Sequence, residues 1–374
     1  MNMNAVGVNA VGVIFSSMNE ENIPELSAHR TMASVPFGGR YRMIDFPLSN
    51  MVNAGITTVG ISTKANYQSL IDHLGSGKEW DLARKDGGLI LLPPYVDENE
   101  TVVNTRLEAL TGITGFLESR PEEYVVLSDS DGIARFDIQD MIAFHAAKSA
   151  DITLVTHSQP VVKTHYYITL KSGEDGRVSE VLINPQTEDV TDVYVNVMIL
   201  RRKYLINLIR SASACGYTSF GRDILAKKTA SIRIYNYRFT GYYGGLTSME
   251  AYFKHNMELL DKDIRNELFG ARDIYTKVKD SAPSKYGKTA KVANSLISDG
   301  CDIQGTVINS ILFRGVKVES GAVVENCILM QDNVVGENAK LNCVVTDKNV
   351  TVRAKRVLSG CSELPYFIKK GMML

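Results

Sequence analysis

Between Gly12 and Gly38 the chain contains no glycine, although it carries 29 in all. The gap comes after NAVGVIF (Asn9 to Phe15), an apolar segment that reads as a buried strand. A turn that cradles phosphate on backbone N–H groups depends on glycine, because side chains would stand where the ligand approaches. The residues at this turn are SSMNEENIPELS, with the acids Glu20 and Glu21 at its centre. That composition excludes a backbone cradle. Other absences narrow the class further. Forty-one basic residues face 42 acidic ones, a net charge of −1, so there is no electrostatic footprint for nucleic acid or an anionic membrane. No apolar run approaches the ~20 residues of a membrane span. The N-terminus lacks a basic region and a small-residue cleavage site, so a strand is expected there and not a signal peptide. The five cysteines form no CxxC pair, which predicts a reduced, cytoplasmic protein.

What is present is a chain of 374 residues, long enough for two domains. Up to about residue 265, short apolar runs alternate with helical patterns. Strands are expected at 57–63, 122–128, 151–157 and 230–237, and helices around LIDHLG and DIQDMIAFHAAKS. Runs such as YVVLS, apolar without alternation, suit a mostly parallel sheet covered on both faces. The segment 249–264 reads as one amphipathic helix closing this domain. The expected division is 1–270, a linker at 271–290 that is polar and basic, and 291–374.

The last part repeats itself. NSLI at 294, NSIL at 309, NCIL at 326 and NCVV at 342 recur at spacings of 15, 17 and 16 residues. A second set of short phrases lies between them, and a period near three hexapeptides per turn predicts a left-handed parallel β-helix with small and β-branched side chains stacked inward. An antiparallel meander is the competing reading. Cys301, Cys327 and Cys343 fall in the repeats, where a small buried hydrophobe suffices. All six histidines precede residue 291, so coils bearing a catalytic histidine, as in hexapeptide acyltransferases, are excluded.

The string VPFGGRYRMIDFPLSNMVNAGI (35–56) closely resembles the glucose-1-phosphate adenylyltransferases, or ADP-glucose pyrophosphorylases. The likeness extends through TKANYQSLIDHLGSGKEWD, SFGRDIL, YFKHNMELL, DIYTKVKDSAPSKY and the coils, nearly the whole chain. It implies an α/β fold: a nucleotidyltransferase domain with a Rossmann-like sheet, then a left-handed β-helix, assembled as a tetramer. It implies a reaction in which a sugar phosphate oxygen displaces pyrophosphate from ATP, driven by positioning and charge neutralisation.

The family's catalytic elements are each altered. Ser17, Met18, Asn19, Glu20, Glu21 and Asn22 stand at the glycine loop, with Asn22 in place of its arginine. Each acid facing a triphosphate costs about 1–4 kcal/mol at ~4 Å. Met32 replaces a lysine, and a thioether donates no hydrogen bond to an oxyanion. Asp131 matches the first Mg²⁺ ligand, but Gly245 stands where a second carboxylate is expected. Asp131 and Asp129 are equally readable as strand-end acids or helix caps. In the sugar-phosphate pocket, Asn184 replaces a lysine, Asn196 ends the phrase Tyr194-Val195-Asn196, and Ser219 replaces an aspartate, while Asp223 is kept.

Arg30 and Arg42 match family positions near an effector cleft, with His29 beside them and Arg353 and Arg356 at the end of the β-helix. Structural salt bridges, for instance with Asp45, are the alternative. The pattern resembles the GlgD-type subunit. That implies a regulatory, catalytically defective partner of a catalytic glucose-1-phosphate adenylyltransferase subunit in a homo- or hetero-tetramer, open to a phosphate-bearing effector. No cofactor is then needed, and Mg²⁺ matters only if residual catalysis exists. A weakly active nucleotidyltransferase and a sugar-phosphate or nucleotide sensor are the other two readings.

Overall fold

The computed structural model describes residues 8–93, 105–161, 166–187 and 189–374. A nine-stranded sheet organises the first domain. Its centre is parallel: Gly88–Leu92, Thr58–Ser62, Ala10–Phe15 and Tyr124–Asp129 lie side by side in that order. Both faces are covered. Val11, Val13 and Phe15 point into one core while Ala10 and Ile14 point into the other, which is why the strand shows no polar alternation. Gly12 lets the Met51 side chain lie against the strand: a Cβ there would be 2.4 Å from the Met51 sulfur, which would have to shift.

Beyond this centre the sheet turns antiparallel. The long strand Val190–Arg201 runs against Tyr124–Asp129 and against Ile152–Pro160, with a break in register between Tyr194 and Met198. Asn196 lies inside that break with φ 60°, a conformation asparagine tolerates better than most residues. Two expectations are corrected here. The strand foreseen at 230–237 is Ile234–Phe239, because Ser231 and Ile232 fold back onto the Lys228 carbonyl. The single helix foreseen at 249–264 is two, Met249–Glu258 and Lys262–Phe269. The Asp261 carboxylate accepts the Asp263 N–H at 2.7 Å, so it caps a new helix instead of continuing the old one.

The second part is a three-sided parallel β-helix of the left-handed hexapeptide type. Each side is a five-stranded sheet, beginning with Lys285–Tyr286, Lys291–Ala293 and Leu296–Ile297. Every pairing within the three sheets is parallel, which removes the meander reading. Asn294, Asn309 and Asn326 turn successive corners with φ between 43° and 50°. Asn294 donates to Asn309 at 2.8 Å in an amide ladder. In the next coil the corner falls one residue later, on Cys343. Cys301 and Cys327 are buried as expected, and burial pushes the Cys327 thiol up to about 12. Cys343 is only partly buried because it takes the corner, not the core.

One side of the β-helix packs on the first domain. Ile311, Phe313, Ile328, Met330 and Val345 share a core with Phe37, Phe46, Tyr252 and Phe253. Across this seam Arg30 meets Asp347, both 4% exposed, at 2.7 Å.

Candidate functional site

In an open α/β sheet, ligands bind beyond the carboxyl ends of the parallel strands. Here the strands Ala10–Phe15 and Tyr124–Asp129 end in register, Phe15 opposite Asp129. Their continuations, Ser17 to Asn19 and Asp129 to Asp131, enter one cavity of about 230 Å³ and a smaller neighbour. Asn19, in a left-handed conformation with φ 60°, donates its amide to Asp131 Oδ2 at 2.7 Å. Asn196 donates to the same oxygen at 3.0 Å. Arg106 Nη2 lies 2.5 Å from Asp129 Oδ2, and its guanidinium rests over the Phe15 ring.

Burial dominates the electrostatics. It pushes the Asp129 carboxyl up to about 7 against the pull of Arg106, and it raises Asp131 against the amide bonds. The Tyr194 phenol, buried between these acids and Arg106, is also raised. Arg106 Nη1, Asp129 Oδ1 and the Tyr194 hydroxyl are buried without a hydrogen-bond partner among the described residues.

The residues around Asp131 are a poor fit to a Mg²⁺ site. The Asp131 oxygen facing the loop is taken by two amide NH₂ groups, which are donors and not ligands. Gly245 does lie beside Asp131: it pairs with Gly132, and Leu246 N–H binds the Asp131 carbonyl at 2.8 Å. It brings no carboxylate. Among the described residues no group of three or more His, Cys, Asp or Glu could hold a metal.

Several residues named from the sequence gather here. Ser17, Met18, Asn196 and Ser219 line the main cavity; Asn22, Asp131 and Gly245 line the adjoining one. Others are elsewhere. Met32 is fully buried in the core beneath the β-helix. Glu20 turns back and accepts the Met32 N–H at 3.3 Å. Asn184 is exposed and its side chain accepts the Tyr167 N–H at 2.9 Å. Asp223 holds the Lys227 ammonium at 2.8 Å and the Ser219 and Thr218 N–H groups, which together keep its carboxyl down at about 2. Asp129 and Tyr194, named beside Asp131 and in the pocket phrase, are cavity walls, whereas Arg106 was not foreseen; a lone arginine in a helical stretch carries no signal of burial.

A second concavity, about 290 Å³, lies between the domain and the β-helix. Arg40 and Arg42 come from the hairpin of Pro36–Phe37 and Tyr41–Arg42, Lys277 and Lys279 from the basic linker, Arg314 and Lys348 from the coils. Asp72 is the one acid among the described residues lining it. Arg42 donates to the Ser69 carbonyl and hydroxyl, at 2.5 and 2.9 Å. Behind it His73 and Asp45 are 2.6 Å apart. Four of the six cations are pushed down, burial first and neighbouring cations among the other causes: Arg42 to about 10, Lys348 to about 7, and Lys279 and Arg314 in the same direction.

Of the five residues expected around an effector cleft, only Arg42 lines this concavity, and Arg356 is exposed outside its lining. Arg30 is committed to Asp347, through one nitrogen to both oxygens at 2.8 and 2.7 Å. His29 is exposed beyond the cleft lining, and Arg353 is exposed and reaches the Met373 sulfur at 3.6 Å. The cations that do line the cleft come from four separate stretches of chain, which sequence spacing does not bring together.

Comparison with known proteins agrees with this architecture. A nucleotidyl transferase family model matches residues 22–262, and a GlmU-like C-terminal hexapeptide model matches residues 280–360. The chain is 34% identical over 364 residues to the glycogen biosynthesis protein GlgD of Bacillus subtilis (strain 168), covering 97% of this chain and 96% of that one. It is 37% identical over 364 residues to GlgD of Geobacillus stearothermophilus, covering 96% of each. It is 30% identical over 380 residues to the glucose-1-phosphate adenylyltransferase of Clostridium perfringens (strain 13 / Type A), covering 94% of this chain and 96% of the relative. A nucleotidyltransferase sheet with its ligand cavity at the strand ends, followed by hexapeptide coils and matched over almost its full length, places this chain in the family of GlgD and the glucose-1-phosphate adenylyltransferases.

Proposed function

We propose that this chain acts in glycogen biosynthesis as a regulatory, catalytically defective subunit of glucose-1-phosphate adenylyltransferase. It assembles with a catalytic subunit that converts ATP and glucose 1-phosphate to ADP-glucose and pyrophosphate, and it raises that subunit's turnover. The observation that carries this reading is the Asn19–Asp131–Asn196 clip, which puts two amide groups where a metal-bound phosphate would need a carboxylate. A nucleotidyl transfer depends on cations at the reacting phosphates. This cavity offers Glu21, Asp129 and Asp131 against Lys64 and Arg106, and Arg106 is already engaged by Asp129.

A subunit that has lost chemistry still shifts an equilibrium when it binds one state of its partner better than another. The basic cleft supports a phosphate-bearing effector as the signal that the assembly reads. The protein works in the cytoplasm, as a hetero-tetramer, and needs no cofactor of its own. Two measurements test this. Purified alone with Mg²⁺, ATP and glucose 1-phosphate, the chain releases no pyrophosphate; release that Asp131→Ala abolishes would make it an enzyme. Co-expressed with a catalytic subunit, it co-purifies as a complex of tetramer mass; two separate species would exclude the partnership.

A further inference from the structure

The basic cleft is built in a way that binding alone does not require. Lys348 comes directly after Asp347, yet the Asp347 carboxylate is engaged by Arg30 and accepts only the backbone N–H of Lys348, at 2.7 Å. The Lys348 ammonium makes no ion pair with any described residue. It lines the cleft together with the cations Arg40, Arg42, Lys277, Lys279 and Arg314, against Asp72 as the one acid among the described residues there. A charge placed among like charges and partly removed from water is relieved either by losing its proton or by gaining an anion.

We propose that Lys348 faces the unliganded cleft as a neutral amine and is protonated when an oxyanion binds, so that effector binding takes up a proton. This rests on the reading of the cleft as an effector site and adds a chemical consequence to it. The depression of Lys348 to about 7 agrees with its burial among these cations. An incoming dianion supplies the opposite charge that the cleft, with six cations and one acid among its described lining residues, lacks. The amine then becomes a further donor beside the guanidinium groups, contributing charge only when the ligand is present. Above pH 7 the empty site favours neutral Lys348, so binding draws most of a proton at pH 8 and little at pH 6. Affinity for an anion that does not itself titrate therefore falls by up to about tenfold per pH unit above pH 7.

Other groups face the same space and are separable. From the hairpin come Arg40, Tyr41 and Arg42; from the helix Gln68–Leu74, Asp72 and His73; from the linker, Lys277 and Lys279; from the coils, Arg314. Among them His73 is held down by burial despite its contact with Asp45, and Lys279 is pushed down as well, so each needs its own control.

The test is calorimetric titration of the full chain with sulfate, in buffers of different ionisation enthalpy at pH 8.0 and pH 6.0. The expected result is uptake close to one proton per sulfate at pH 8.0 and near zero at pH 6.0. Lys348→Gln binds sulfate more weakly and shows no uptake at pH 8.0, while His73→Gln keeps it and Lys279→Gln, which removes one neighbouring cation, lowers it without abolishing it. Sulfate heat without proton uptake overturns the proposal and leaves the effector reading standing. Uptake that survives Lys348→Gln assigns the proton to another group and overturns it too. No sulfate heat at either pH removes both the proposal and the effector reading beneath it.

Discussion

Replacing Arg30 by alanine isolates the interaction that joins the β-helix to the nucleotidyltransferase domain. Arg30 and Asp347 lie 317 residues apart, each 4% exposed, and one guanidinium nitrogen spans both carboxylate oxygens. Removing one partner of a buried pair strands the other, at a cost of about 3–5 kcal/mol. Two features of this site favour the lower end. Asp347 keeps the Lys348 N–H bond, and its attraction to the Lys348 side chain persists once Arg30 is gone. The expectation is thus about 3 kcal/mol by urea unfolding, or roughly 3–6 °C in Tm at the 1–2 °C per kcal/mol that follows for a chain of 374 residues. The double replacement Arg30→Met with Asp347→Leu removes both charges and fills the volume, and should return to within about 1 kcal/mol of the parent. A single-variant loss below about 1 kcal/mol, or a double variant as unstable as the single, would refute the reasoning that this pair is a desolvated seam contact.

Three further predictions concern other parts of the fold. His145 is 1% exposed, bonds Thr153 at 2.8 Å and is pushed down to about 4 by burial. The unfolded chain therefore binds more protons than the native one between pH 6.5 and pH 4, and stability falls as pH is lowered through that window, by up to about 3 kcal/mol; His145→Gln should flatten the dependence in unfolding experiments at pH 4.5 and 7. Lys348→Met should raise the Tm in low-salt buffer at pH 6, where the parent carries an uncompensated charge, and the gain should shrink toward pH 9; a lower Tm at pH 6 would contradict the crowding of cations in the cleft. Asp261→Ala removes the cap of the helix Lys262–Phe269 and should cost about 1 kcal/mol in urea unfolding; no loss would mean that the helix break is set by packing of Leu259 and Leu268 alone.

The parts of the fold that were legible in the sequence are those with a local period. The coils announce themselves because each turn repeats the same corner and the same inward hydrophobe, and the central strands because both faces are apolar. The antiparallel half of the sheet was not visible. Strand direction depends on which partner Val190–Arg201 finds, and nothing within the segment records it. The helix break at Asp261 was missed because a single capping aspartate overrides an otherwise continuous apolar stripe.

The candidate site divides in the same way. Asp131 and Gly245 were expected to meet, and the pairing of Gly245 with Gly132 brings them together. Met32 and Asn184 were expected beside them and lie elsewhere, one inside a core and one on the surface. The clip itself depends on the left-handed backbone of Asn19 and Asn196, two residues 177 positions apart in sequence that no motif links. For Arg30 the sequence left an effector contact and a salt bridge open. The structure pairs it with a carboxylate, Asp347 and not Asp45, since Asp45 is engaged by His73 and the Arg42 backbone.

The central claim is that this subunit has given up chemistry and acts on a partner. Its most direct test is the rate of ADP-glucose formation by a catalytic subunit, measured alone and co-expressed with this chain, per mole of catalytic subunit. The account predicts a higher rate in the complex, unchanged when this chain carries Asp131→Ala. An equal rate with and without this chain, or a gain that disappears with Asp131→Ala, would contradict it.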